Sequence, residues 1–197
     1  GEVLMGLVWF FIRAGQLGGA LVLLVGFDCF LITGEMLAMT LEDLAFDVHN
    51  RGVIKLAHTK TGQRHGAFEA FTINDPACGL LYRRLVRQLP RNTHHRNYVF
   101  LPKLHRFYTL FDQGLKWLGV GDLGFKPYSV RRGGATAYFR ATRNMEAALD
   151  RGRWSSARVA RIYLNDGLAK EVELQLPASV TDRLRVIAAA LSRWLEQ

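Results

Sequence analysis

The chain has 197 residues, enough for one well-buried domain and short for two, and its 49% apolar content excludes a disordered polymer. Its net charge of +9 is unevenly spread: residues 1–50 hold one basic residue, Arg13, against six acids, whereas residues 51–167 hold 21 Lys and Arg against seven Asp and Glu. A middle section this basic points to a polyanion partner such as nucleic acid, the plainer alternative being a basic but unspecialised surface.

Residues 3–13 and 16–27 read as two apolar helical segments parted near Ala14–Gly15. The second contains "GGALVLLVGF", which has a membrane-like composition. Only 14 residues separate Arg13 from Asp28, however, and a spanning helix needs roughly 20 apolar residues. A buried core helix is the expectation, with no membrane partner, and the start of the chain lacks a basic leader with a small-residue cleavage site. A third helix begins near Thr33 and continues through "GEMLAM". Residues 43–73 then alternate apolar and polar side chains around a Thr-Gly turn, which predicts a small antiparallel sheet or hairpin. From Pro76 the pattern is helical again: Ala77–Gln88, His105–Leu118, Arg131–Thr142, Met145–Arg151 and Ala157–Leu164. Val180, Leu184, Ile187, Leu191 and Trp194 recur at steps of four and three, one apolar stripe on a last helix. The fold class expected is mainly α with a small antiparallel β-sheet, in a single domain over 1–197. Two cysteines in unrelated apolar contexts, Cys29 and Cys78, suggest a reducing compartment, and six scattered histidines offer no metal-ligand spacing.

Three short stretches carry chemistry, none of them decisive alone. "TKTG" (59–62) places Lys60 at a hairpin turn, where a solvated lysine is the ordinary case. "PYSVRRGGATAYF" (127–139) opens a helix with two arginines and two glycines, a corner suited to any phosphate. "GRWSSARVARIY" (152–163) ends a short helix on Tyr163, a position more often filled by a packed tyrosine.

Together and in this order, over about residues 15–168, these stretches resemble the tyrosine recombinase (phage integrase) family, with wording most similar to recombinases of eukaryotic mobile elements. The family's acidic residue of the first box matches Glu35, its hairpin lysine Lys60, its third box Tyr128, Arg131, Arg132 and Ala135–Thr136, and its last box Trp154 and Tyr163, nine residues apart. The resemblance implies the recombinase catalytic-domain fold and double-stranded DNA as partner. Tyr163 would attack a phosphodiester to give a 3′-phosphotyrosine, with Arg131 gripping the phosphate, Lys60 as general acid and Trp154 donating its indole N–H. Tyr128 stands where a histidine is commoner and shuttles protons poorly near neutral pH. No cofactor, metal or small-molecule ligand is implied. Arg132, Arg64 and Lys103 are the expected DNA-backbone contacts.

The resemblance also implies that the family's N-terminal DNA-clamping domain is missing, as in a fragment or reduced copy. Residues 179–197 would dock in trans or pack in cis, and an active assembly would be a homo-tetramer on two duplexes. The setting would be intracellular, nuclear in a eukaryote and cytoplasmic or nucleoid in a bacterium. One departure stands out. The first-box arginine falls on Ile32, and no Lys or Arg occurs between Arg13 and Arg51. A missing transition-state arginine can cost ~10³–10⁵ in rate, so a catalytically impaired, DNA-binding relic is the alternative.

Overall fold

The computed structural model describes residues 1–56, 69–101, 104–164 and 166–197, with the side chains of 166, 168 and 169 left undescribed. The sequence expectation of helices around one small sheet holds. The fold is organised about α2 (Leu17–Asp28), in which every residue from Leu17 to Gly26 is buried. This is the membrane-like stretch, and its all-round apolarity reflects burial on all sides by other helices. Leu21, Leu23 and Leu24 are essentially sealed from solvent, each side chain contributing about 1.5–3 kcal/mol. Among the described residues, no helix is long and apolar enough to cross a membrane.

The helix α1 (Glu2–Arg13) packs along α2, and α5 (Leu104–Leu118) lays Phe107, Leu110, Phe111, Leu115 and Leu118 against α1. On another flank α4 (Pro76–Gln88) packs on α2 through Cys78, Leu81 and Leu85. It starts sharply because Asp75 accepts from the Ala77 N–H and Pro76 occupies the first turn, where its missing N–H costs nothing. Both cysteines are free and buried. Burial pushes the Cys29 thiol up to about 12 and the Cys78 thiol well above its ordinary value, so both are inert packing groups.

The sheet is three antiparallel strands in the order β1 (Leu44–Phe46), β2 (Gly52–Leu56), β3 (Glu69–Ile73). The register pairs Ile54 with Leu44 and Phe71, and Leu56 with Glu69. Strand β2 alternates as expected of a half-buried strand, with Gly52, Ile54 and Leu56 inward and Val53 and Lys55 outward.

The remaining helices are α3 (Thr33–Ala38), α6 (Ser129–Thr142), α7 (Met145–Gly152), α8 (Ala157–Tyr163), α9 (Asp166–Gln175) and α10 (Ala178–Glu196). The sequence pattern does not foretell α9, which lacks a strong apolar stripe and is tied to α6 by a 2.7 Å Arg140–Glu173 ion pair. The expected stripe of α10 is real. Leu184, Ile187 and Leu191 are buried against α1 and α4 of the same chain, and Trp194 meets Trp9 edge-on at 6.3 Å.

Candidate active site

Four buried apolar residues, Phe30, Ala135, Trp154 and Ala160, form a small cluster separate from the main core, and Tyr138 and Tyr163 pack on it. The candidate site is built on this cluster. Helix α6 reaches it by pressing on the end of α2, where Gly134 lies so close that a Cβ would sit 2.0 Å from the Phe27 carbonyl oxygen. That contact delivers Arg131, one turn earlier on α6, into the interior.

Arg131 is only 6% exposed. Its terminal nitrogens donate to the Phe30 carbonyl and, at 2.7 Å, to the Gly152 carbonyl, and its Nε has no partner among the described residues. Among the described residues no carboxylate contacts it there. Burial, and after it the charge of Arg153, hold its guanidinium below its ordinary value. The cation lies 5.3 Å from the Trp154 ring and 5.5 Å from the Tyr163 ring.

Each residue of the "GRW" stretch has a separate reason to be there. Gly152 lies under the Trp154 ring, where a Cβ would come within 2.3 Å of a ring carbon, and its carbonyl holds Arg131. Arg153 closes α7 in the left-handed conformation (φ 57°), the place where glycine is usual. Trp154 stacks on Tyr163 at 4.8 Å and 19° and on Phe30 at 6.2 Å and 18°. Its indole Nε1 is buried without a partner among the described residues.

Tyr163 thus stacks on Trp154 of the same chain, half-buried at the end of α8, which Ser156 caps through the Val159 N–H. Its backbone carbonyl accepts from the Thr136 hydroxyl at 3.1 Å, so "AT" of the third stretch anchors the tyrosine to α6. Tyr128 lies on the open side, its ring 5.9 Å from that of Tyr163. Burial, then the Tyr163 hydroxyl, push its phenol up to about 12. Tyr128 therefore stays neutral and can donate a hydrogen bond, but it does not exchange protons near neutral pH.

Glu35 is a buried residue in the first turn of α3. One oxygen accepts from the Ile32 N–H at 3.0 Å, capping the helix, and both oxygens are held by Arg153, at 2.5 and 2.8 Å. Arg153 also reaches Glu69 of β3 at 3.4 Å and lies 5.2 Å from the Phe71 ring. Its Nε is a third buried donor without a partner among the described residues. Opposing the lowering effect of burial, the hydrogen bonds and charge of Glu35 raise the guanidinium above its ordinary value.

Sequence reasoning missed Arg153. The available signal was an arginine where a helix-ending glycine belongs, beside Trp154. It also bears on the missing first-box charge, since Arg153 shares a carboxylate oxygen with the backbone of Ile32 itself. Of the other candidates, Arg132 is half-buried and lines, with Tyr163, Thr136 and Arg140, a cleft of about 720 Å³ beside α1, α9 and α10. Lys60, Arg64 and Lys103 lie outside the described residues. Among the described residues no three His, Cys, Asp or Glu side chains gather as a metal site.

A tyrosine stacked over a buried arginine and tryptophan, on helices that follow a small three-stranded sheet, sits here in a known architecture. The chain has the fold of the tyrosine recombinase catalytic domain. It is similar to XerH site-specific recombinase bound to its difH substrate in a pre-cleavage complex, with a TM-score of 0.65 and 12% identity over 88% of this chain and 52% of that one. The post-cleavage complex of XerH on a palindromic difH substrate gives 0.63 and 12% over 88% and 51%. The Tn1549 transposon integrase in complex with circular intermediate DNA gives 0.57 and 15% over 87% and 62%. This chain therefore spans between half and two thirds of the chains it matches. No family model and no curated protein matches the sequence.

Proposed function

We propose that the chain is the strand-transfer domain of a site-specific DNA recombinase acting through a covalent phosphotyrosine. The observation that carries this reading is the pair of buried N–H donors on Arg131 and Trp154 beside the ring of Tyr163, joined by that of Arg153 next to Trp154 in the chain, all three without partners among the described residues. An unpaired buried donor costs about 1–3 kcal/mol, and more when charged. Arg131 adds a buried cation that no described carboxylate contacts. A phosphate offers acceptors for the donors and a counter-charge for the cation.

In the reaction, the Tyr163 oxygen attacks the scissile phosphorus and the bond to the 5′-oxygen breaks. The phenol proton leaves to solvent on the exposed side of the ring, and the 5′-oxygen departs as a hydroxyl with a proton from Lys60. Arg131 and Trp154 stabilise the charge on the non-bridging oxygens. Reversal of the same step rejoins DNA, because the phosphotyrosine conserves the bond energy. Arg132, Arg64 and Lys103 contact the flanking backbone, and the working assembly is a homo-tetramer on two duplexes.

Ile32 favours a second reading, a DNA-binding relic that no longer cleaves. Nicked suicide substrates, offered as a pooled library to wild type, Tyr163→Phe and Ile32→Arg, separate the two on a denaturing gel. The expected result is a wild-type adduct that vanishes in Tyr163→Phe. DNA binding with no adduct in any variant makes the relic the better reading.

A further inference from the structure

We infer that Arg153 is an anion-gripping residue of the site, held ready by Glu35, and that it supplies the cationic contact that position 32 lacks. The inference rests on the strand-transfer reading for its substrate, but the geometry argues it separately.

First, the position is costly. A non-glycine residue in the left-handed region stores about 1–3 kcal/mol of strain, and glycine would end α7 without it. The backbone there is fixed by the Trp154 N–H donating to the Leu149 carbonyl at 3.0 Å, so the turn would form without an arginine. Second, the Glu35 grip uses only the two terminal nitrogens, end-on, and leaves Nε–H buried without a partner among the described residues. A brace alone would not require that third donor. Third, Arg131 is held by the carbonyl of Gly152, the residue just before Arg153, and the charge of Arg153 lowers the Arg131 guanidinium. Two like charges that feel each other repel, and an anion near both relieves that repulsion. Fourth, Arg153 and the Ile32 backbone meet on one carboxylate oxygen, so a guanidinium from 121 residues along the chain reaches the place where position 32 offers no charge.

Relocation of charge is testable by moving it back. The intact chain is titrated with inorganic phosphate at low ionic strength, following thermal unfolding, for wild type, Arg153→Gln, Arg153→Lys and the Ile32→Arg/Arg153→Gln double variant. Wild type is expected to bind phosphate saturably, with affinity falling at least tenfold in Arg153→Gln. The Lys variant should recover part of the loss, and the double variant should return to within about threefold of wild type. Ile32 is partly exposed, so the new arginine can be accommodated there. The inference is overturned if wild type binds no phosphate, if Arg153→Gln binds as wild type does, or if the double variant folds and stays deficient. Failure of both glutamine variants to unfold cooperatively also overturns it, leaving Arg153 a brace. The suicide-substrate gel, run on the same proteins, keeps the two readings apart. Phosphate loss in Arg153→Gln with no wild-type adduct sinks strand transfer alone. A wild-type adduct undiminished in Arg153→Gln sinks the role of Arg153 alone.

Discussion

Arg153 holds both oxygens of Glu35 across 118 residues of sequence, joining the turn after α7 to the start of α3. Both side chains are largely buried, so removing one partner strands a charge in a poorly solvated place. Glu35→Gln is expected to cost about 3 kcal/mol, toward the low end because Glu69 remains near the arginine. Urea unfolding at neutral pH measures it, and a loss below half a kcal/mol would show that the pair is dispensable to the fold.

Asp28 forms a second brace. Arg151 donates to its carbonyl at 2.8 Å and to its carboxylate at 2.9 Å, and to the Thr72 carbonyl at 3.0 Å, locking α2, β3 and α7 together. Burial raises the Asp28 carboxyl above its usual range. The folded protein therefore holds that proton more tightly than the unfolded chain. The associated stability is full below ~3.9 and is lost as pH rises through the folded value. Arg151→Ala is expected to cost about 3–5 kcal/mol at pH 7 and visibly less at pH 4, where the stranded carboxylate protonates. Paired urea melts at the two pH values check this.

The glycines of α3 and α6 should respond oppositely to alanine. At Gly34 a Cβ meets nothing within 4 Å, and alanine should stabilise α3 by about 0.5–1 kcal/mol. At Gly134 the Cβ would collide with the Phe27 backbone, prising α6 from α2 and moving Arg131 with it. Gly134→Ala should lose about 3 kcal/mol and most phosphate affinity. Thermal unfolding with and without phosphate distinguishes the two sites.

Tyr128 sets a limit at high pH. Its folded phenol is held at about 12, whereas an unfolded tyrosine ionises near ~10. The stability gained from the neutral phenol is complete below pH ~10 and disappears as pH rises through about 12. Tyrosinate absorbance should show a late step that is missing in Tyr128→Phe. In Tyr163→Phe the step should move down, since the neighbouring hydroxyl is one of its causes, while burial remains.

DNA affinity should fall steeply with salt. Each phosphate neutralised contributes about −0.9 to the slope of log K against log salt. Neutralising Arg132, Arg64 or Lys103 singly should make the slope shallower by about 1 and weaken binding to unrelated sequences equally. Mobility-shift titrations from low to physiological salt measure both.

The lesson for reading such a chain lies in which interactions are local. Period and composition determined the helices, the buried character of α2, the β2 alternation and the α10 stripe, because each depends on neighbours three, four or two residues away. The order of the short motifs was enough to bring Tyr163, Trp154, Arg131 and Tyr128 under suspicion before any contact was known. Helix α9 escaped because an ion pair to α6, and not its own apolar face, helps to hold it. What only the tertiary structure decided was the electrostatic partnership at the site. Sequence showed an acid at Glu35 with no basic residue within twenty positions on either side of Ile32 except Arg13 and Arg51. Folding closed the long loop from α3 to the turn after α7 and brought Arg153 there. Charges interact through distance in space, and the chain separation of two ion-pair partners leaves no periodic trace in the residues between them.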